Sequence, residues 1–223
     1  MEARKSSDPN DWTDGATFFE LAAEVESRAP LADSLDHGLN HWTLVAWTGA
    51  ELLVTMPDAD DFVVLLFALF HDSQRETDYV DPDHGARGAA LATELVPAYL
   101  PDLEPSRLEK LTEACVLHTA AGPSDDPTMG PCWDSDRLNL WRVDIQPSPR
   151  YLSTAEAKNP KRIEWALDHQ DVEYSWREIF ARYQAAALGL GDPIEAAREQ
   201  DPDGRFIWGE GDVRWIVPPR GSS

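Results

Sequence analysis

The segment DADDFVVLLFALFHD, residues 58–72, holds the longest apolar run of the chain and ends in the dipeptide His71-Asp72. Its opening aspartates are typical of a helix N-terminus, where carboxylates accept hydrogen bonds from free backbone amides. The apolar run, residues 62–70, has nine residues. A membrane-spanning helix requires about 20. We therefore predict a buried core helix, although the valine-rich centre also fits a strand.

Helical periodicity precedes this segment. From His37 onward, His37, His41, Leu44 and further apolar residues follow spacings of three and four. Residues at these spacings share one face of a helix. The sequence therefore predicts a helix that begins near His37 and carries two histidines one turn apart.

Helical patterns also follow the segment. Asp81-Pro82 is typical of a helix start, with His84 in the first turn and an alanine-rich stretch behind it. Residues 105–119 predict a helix with His118 on its apolar stripe. The stretch CWDSDRLNLWRV, residues 132–143, predicts a further helix that carries Asp134 and Asp136. The expected fold class is all-α.

The composition suggests three regions. Residues 1–15 are polar and rich in Asp, Ser, Pro and Gly, and we predict a flexible N-terminal lead. Residues 16–150 hold the helical patterns described above. Residues 151–223 carry two amphipathic stretches, about 155–169 and 174–188, and then a tail, which predicts a C-terminal helical extension.

The net charge of the chain limits the classes of partner that it can bind. With 41 acidic and 19 basic side chains, the formal net charge is −22. This charge repels a phosphate backbone, so we expect no nucleic acid duplex as a partner. Two cysteines and the absence of a secretory leader pattern predict a cytoplasmic protein without a membrane partner. The sequence leaves the oligomeric state open, including a homo-oligomer.

Histidines are concentrated in one part of the chain. Five of the six fall in the first 120 residues, and two acidic residues follow or end apolar runs. Mixed imidazole and carboxylate ligands suit a divalent transition ion such as Mn, Fe, Co, Ni or Zn, whereas Mg and Ca prefer oxygen ligands alone. The pattern therefore favours a metal site.

The order His41, His71-Asp72, Asp136 resembles the H…HD…D signature of the HD-domain superfamily of metal-dependent phosphohydrolases. Three local contexts carry the resemblance over residues 33–145: HWTLV, LFALFHDSQRE and WDSDRLNL. The resemblance implies an HD-domain helical bundle in which these four side chains bind one ion, with Asp72 able to bridge to a second. Asp134 is the alternative to Asp136 as the last ligand.

In binuclear members of that superfamily, two further histidines lie between the HD pair and the last aspartate, and His84 and His118 occupy this interval. The resemblance thus implies one or two ions. As catalytic residues it suggests Asp72, which would orient a water molecule or bridge two ions, and His84 or His118, which could supply a proton to the leaving oxygen.

Substrate binding is the least defined part of the sequence pattern. Arg137 and Arg75, and also Arg87, lie close in sequence to the ligands and could bind a substrate phosphate through bidentate hydrogen bonds. Pairing with neighbouring carboxylates is the alternative for each arginine. His37 could contact the substrate, or it could support a ligand or cap the helix.

The function expected from the resemblance is metal-dependent hydrolysis of a small phosphate ester, with a nucleotide as the favoured small-molecule substrate. One alternative is an HD-fold di-iron oxygenase, which requires His84 and His118 as ligands. A second alternative is a metal-bound sensor or interaction module in which the C-terminal extension docks a partner.

Overall fold

The computed structural model describes residues 15–187, and within this range the chain folds into α-helices, short 3-10 turns and loops without a β-strand. The eight α-helices are α1 Gly15–Arg28, α2 Leu39–Leu53, α3 Asp61–Phe70, α4 His84–Tyr99, α5 Pro105–Leu117, α6 Met129–Leu138, α7 Pro160–Asp168 and α8 Trp176–Ala187. The predicted all-α fold class is confirmed. Among these described helices, none combines the length and the apolarity that a bilayer span needs.

Helix α3 lies at the centre of the bundle. All ten of its residues are buried, and α1, α2, α4, α5 and α6 pack around it. The helix begins at the cap Asp60, whose carboxylate accepts a hydrogen bond from the amide of Val63 at 3.1 Å. Complete burial explains its uninterrupted apolar sequence, because a helix surrounded on all sides needs no polar face. His71 and Asp72 follow directly from its C-terminal end.

Helix α4 approaches α3 and α5 unusually closely at two glycines. A methyl group at Gly88 would overlap the carbonyl oxygen of Phe70, and one at Gly85 would overlap the carbonyl oxygen of Cys115. Since any side chain would keep these helices apart, the two glycines set how near the start of α4 lies to the ends of α3 and α5.

Two predicted helix starts differ from the observed ones. Helix α2 begins at Leu39, because Gly38 is extended and His37 belongs to the preceding turn, where its amide donates to Ser34 Oγ. Helix α4 begins at His84, since Asp81 does not cap it. The Asp81 carboxylate instead accepts hydrogen bonds from the Glu76 amide and from Arg87, so the helix starts two residues after Pro82.

The segment assigned to a C-terminal extension contributes to the same core as far as residue 187. In α8, Phe180 stacks on Phe18 of α1 with ring centroids 5.3 Å apart, and the Tyr183 hydroxyl donates to the Ala46 carbonyl of α2 at 2.9 Å. Helix α7 packs with a smaller apolar cluster that includes Leu138 of α6. The predicted lead, apart from residue 15, and the tail from residue 188 lie outside the described residues.

Candidate metal centre

Six predicted ligands meet at one end of the bundle. They form two groups whose donor atoms lie within 4.8 Å of one another. The first ligand set is His41, His71 and Asp136, and the second ligand set is Asp72, His84 and His118. Helices α2, α3, α4, α5 and α6 each deliver at least one of these side chains, from within the helix or from the residues directly after it. Five of the six residues are buried, and the Asp136 side chain is 13% exposed.

The first ligand set is compact. Nε2 of His41 lies 3.2 Å from Nε2 of His71 and 3.3 Å from Oδ1 of Asp136. Nε2 of His71 lies 3.9 Å from the same carboxylate oxygen. The three donor atoms therefore surround a single point from three helices.

The second ligand set is equally compact. Nε2 of His84 lies 2.9 Å from Nε2 of His118 and 3.1 Å from Oδ1 of Asp72. Nε2 of His118 lies 3.6 Å from Oδ1 of Asp72.

Asp72 joins the two sets through its two oxygens. While Oδ1 faces the second ligand set, Oδ2 lies 3.5 Å from Nε2 of His41 and 3.8 Å from Nε2 of His71. One buried carboxylate thus presents one oxygen to each set, which is the arrangement of a bridging ligand in a two-metal site.

Backbone carbonyls orient three of the imidazoles. Nδ1 of His71 donates to the carbonyls of Phe67 and Ala68, each at 3.2 Å, and Nδ1 of His118 donates to the Cys115 carbonyl at 2.7 Å. Nδ1 of His84 donates to the Asp81 carbonyl. A carbonyl only accepts hydrogen bonds, so Nδ1 carries the proton and the neutral ring keeps a lone pair on Nε2. The carbonyls thereby select the tautomer that a metal ligand needs.

Two observations test whether these residues fit a metal ion. Lone pairs of His84 and His118 at 2.9 Å repel each other unless a proton or another cation lies between them. Among the described residues, the buried Oδ1 of Asp136 is one of the atoms without a hydrogen-bond partner, and buried polar groups are normally satisfied. The nitrogen and oxygen donor set suits a divalent transition ion, so the residues fit such a group.

The protonation states of the first ligand set also suit a metal ion. Burial, with the nearby charge of Arg142, lowers the pKa of His41 to about 3, and burial lowers the pKa of His71 to about 4. Burial acts to raise the pKa of Asp136, but His41 and the Arg142 guanidinium outweigh it and lower that pKa. Neutral imidazoles and an ionised carboxylate therefore coexist at neutral pH, as metal binding requires.

The second ligand set holds its charge differently. Burial opposes ionisation of Asp72, yet the surrounding histidines, with His71 the strongest, hold its pKa well below the usual range. Burial also disfavours the charged form of His118, but its hydrogen bond and charge interaction with Asp72 prevail and raise the pKa of His118. A proton on His118 therefore competes with a metal ion for this set.

Asp134 lies outside both ligand sets. It is fully buried, and its two oxygens accept hydrogen bonds from the amides of Ser153 at 2.6 Å and Thr154 at 2.7 Å. It therefore anchors the chain that follows residue 151. Of the two aspartates left open by the sequence, Asp136 is the one that the structure places among the histidines.

The structure places the sequence-predicted arginines on protein acceptors. Arg137 donates to the carbonyls of Tyr151, His118 and Ala121 at 2.7, 3.1 and 2.7 Å. Arg75 donates to Asp72 Oδ1 at 3.1 Å. Arg87 pairs with Asp81 at 2.6 Å. Each guanidinium is thus already engaged in holding the backbone or a carboxylate.

Sequence reasoning missed Arg142, whose guanidinium faces carboxylates of both ligand sets. Its Nη2 lies 3.7 Å from Oδ1 of Asp136 and 4.0 Å from Oδ2 of Asp72. Its Nε and Nη1 donate to the carbonyls of Asp36 at 2.5 Å and Asn139 at 2.9 Å. The only sequence signal is its position six residues after Asp136, one helical turn and a 3-10 turn away, and this does not distinguish it from Arg137.

His37 lies beside the first ligand set. Its ring centroid is 6.3 Å from that of His41, and its Nδ1 lies 3.1 Å from Oδ1 of Asp78. Burial lowers the pKa of His37, against the opposing influence of Asp72. His37 therefore faces the site as a neighbour of the ligands.

A cavity of about 360 Å³ opens next to the ligands, and we call it the cleft. Asp72, Asp136 and His118 lie in its wall, together with His37 and the three arginines 75, 137 and 142. Most of the apolar side chains in the wall of the cleft come from residues 140–152. The volume is at the lower end of the range of about 300–1,000 Å³ that is typical of small-molecule sites.

Comparisons with models of protein families, with curated proteins and with solved structures found no match for this chain. The fold and the site therefore define its class: an all-helical protein with buried histidine and aspartate groups that could hold a metal ion.

Proposed function

We propose that this protein is a metal-dependent phosphohydrolase of the HD-domain superfamily that acts on a small phosphate ester such as a nucleotide. The observation that supports it best is the position of Asp72, with one oxygen toward each ligand set. Two adjacent cation sites joined by one carboxylate, beside a cleft, are typical of enzymes that displace groups at phosphorus.

Six side chains would hold two divalent transition ions. His41, His71 and Asp136 would bind one ion, His84 and His118 the other, and Asp72 both. When bound, such ions polarise a phosphoryl oxygen and lower the pKa of a water molecule toward about 7. A substrate in the cleft would reach both ions, since Asp72 and Asp136 lie in its wall.

The chain itself supplies orientation and charge. The guanidinium of Arg142 is fixed by two backbone carbonyls and faces the space between Asp72 and Asp136, where a phosphoryl group would lie. With both imidazoles of the second ligand set engaged as ligands, neither can protonate the leaving oxygen. Only in a one-metal site would His84 or His118 be left to do so.

One observation favours a second candidate, a di-iron oxygenase of the same fold. That reaction requires His84 and His118 as ligands, and the two rings do meet, with Nε2 atoms 2.9 Å apart. The ligand set alone does not separate the two chemistries, because imidazole and carboxylate bind iron as well as zinc or manganese.

The test is to purify the protein without chelator, measure its metal content, and assay phosphate release from a nucleotide panel alongside oxygen consumption. Asp72→Ala removes the shared carboxylate, and Asp134→Asn is the control for a change at a buried aspartate, since Asp134 lies outside both ligand sets. Phosphate release that is lost in D72A and kept in D134N supports the hydrolase. Iron with oxygen uptake and no phosphate release would favour the oxygenase, and protein that no first-row ion can load would refute both.

A further inference from the structure

We infer that the cleft binds a phosphate monoester with a single phosphoryl group and a compact apolar or aromatic body. Arg142 would hold the phosphoryl group, and the segment of residues 140–152 would cover the body. This inference rests on the proposed function and narrows its substrate class.

Arg142 is prepared to bind an anion. Hydrogen bonds to the Asp36 and Asn139 carbonyls fix its guanidinium, and its side chain is 11% exposed. A side chain that is already held in place loses little conformational entropy when a ligand binds. Nη2, which neither carbonyl uses, points toward Asp72 and Asp136, so an anion bound there would touch the guanidinium and the ligand sets together.

The other arginines in the cleft wall already donate to protein acceptors. Arg137 donates to three backbone carbonyls, and Arg75 donates to the Asp72 carboxylate and to the carbonyls of Thr77 and Tyr79. Arg142 Nη2 faces Asp72 and Asp136 from 4.0 and 3.7 Å, beyond hydrogen-bond distance, whereas the Arg75 Nε that faces Asp72 already donates to it at 3.1 Å. One planar guanidinium matches one phosphoryl group. The additional charges of a diphosphate or triphosphate would lack a matching cation in a chain of net charge −22.

The apolar wall argues for an apolar body. Leu140, Val143, Ile145 and Tyr151 line the cleft, and Ile145 and Tyr151 are 53% and 56% exposed. Large apolar side chains that line a small cavity and stay this exposed gain free energy when a ligand covers them, about 25 cal/mol for each Å². The volume of about 360 Å³ limits that ligand to a compact body.

The test is a binding measurement by isothermal titration calorimetry on Zn²⁺-loaded protein, with three probes that are not turned over. The probes are inorganic phosphate, phenylphosphonate and a non-hydrolysable nucleoside triphosphate analogue. We expect phenylphosphonate to bind roughly tenfold more tightly than phosphate, because the ring covers apolar area, and more tightly than the triphosphate analogue. Equal binding of phosphate and phenylphosphonate, or tighter binding of the analogue, would overturn the inference.

Variants test the role of Arg142 and the role of the apolar wall separately. Arg142→Gln should weaken phosphate and phenylphosphonate alike, by roughly 10- to 100-fold, as the loss of a charged hydrogen bond does. Arg177→Gln is the control, since Arg177 is an exposed residue of α8 and lies outside the cleft lining. Ile145→Asn should weaken phenylphosphonate and leave phosphate unchanged, while Val116→Asn, an exposed position on α5, should change neither. An R142Q protein that binds phosphate as well as the wild type refutes the role of Arg142.

The metal content of each variant shows whether a loss of ligand binding is due to a loss of metal. If R142Q loses metal, the comparison of Ile145→Asn with Val116→Asn still decides whether the body is apolar. Phenylphosphonate binding without phosphate release from any ester would leave this inference standing and refute the hydrolase. Phosphate release with a preference for nucleoside triphosphates would leave the hydrolase standing and refute this inference.

Discussion

His84 and His118, 34 residues apart in the chain, lie with their Nε2 atoms 2.9 Å apart, and a backbone carbonyl holds the Nδ1 of each ring. The carbonyls prevent either ring from turning its lone pair away without losing a buried hydrogen bond. A cation between the two nitrogens removes the repulsion. This relationship makes metal content the most direct measurement on this protein.

Replacing His118 should remove one of two metal ions. In His118→Gln the second ligand set loses a nitrogen, while the first keeps His41, His71 and Asp136. We expect metal content to fall from about two ions per chain to about one, as measured by plasma mass spectrometry after gel filtration. His169→Gln is the control, because His169 donates to the Trp165 carbonyl and lies outside both sets. Unchanged stoichiometry in H118Q would contradict a second site.

Asp72→Asn should weaken both metal sites, since each set loses an oxygen that carries charge. Asp134→Asn should instead keep the metal and lower stability, because a carboxamide oxygen cannot replace both acceptors for Ser153 and Thr154. The loss should be about 1–3 kcal/mol in the free energy of unfolding, seen as a lower urea midpoint. Loss of metal in D134N with normal metal in D72N would show that the ligand assignment is wrong.

The metal-free protein should lose stability as the pH falls from 7 to 5. The pKa values of His41, about 3, and His71, about 4, lie below the unfolded value of about 6.5. The unfolded state therefore binds more protons in this window, at a cost of roughly 2 kcal/mol for each histidine by pH 5.

His118 has the opposite effect on how stability depends on pH. Its pKa is raised, so the stability that it contributes is present at low pH and is lost as the pH rises through its folded pKa. One such group offsets only part of the effect of His41 and His71. Urea midpoints at pH 7 and pH 5 measure the sum, and His71→Gln should give a shallower dependence. A midpoint that does not fall toward pH 5 would contradict the neutral, buried state of the two histidines.

Gly88→Ala should destabilise the bundle by about 1–3 kcal/mol, because the new methyl group overlaps the Phe70 carbonyl and pushes α4 away from α3. Gly122→Ala is the matched control, since no atom lies within 4 Å of a methyl group there. Thermal unfolding measures both variants. If G88A melts at the temperature of G122A, the close approach of α4 does not limit the packing.

Local sequence was sufficient for much of the fold. The apolar run of residues 62–70, with its acidic start, predicted α3, and the structure shows a helix where the valine-rich centre also fitted a strand. The predicted starts of α2 and α4 were wrong because the sequence does not show whether Gly38 is helical or whether Asp81 caps the helix that follows it. Gly38 is extended, and Asp81 is occupied by Arg87 and the Glu76 amide, so each choice depends on surroundings.

The site, too, was predictable from the sequence only in part. Asp134 and Asp136 stand two residues apart on α6, so they face different directions, yet only the packing of α6 shows that Asp136 meets the histidines while Asp134 holds Ser153 and Thr154. Likewise, Arg137 and Arg142 look alike in sequence. Their roles depend on where the carbonyls lie that bind their guanidinium groups.

The sequence by itself determined the helical class, the residue types of the candidate ligands and their order along the chain, because helix formation and side-chain chemistry depend on residues within a few positions. The tertiary structure alone decided that His41, His71 and Asp136 form one set, that His84 and His118 form another, and that Asp72 presents one oxygen to each. Such distances depend on how closely helices distant in sequence can pack, and here two glycines on α4 permit the approach.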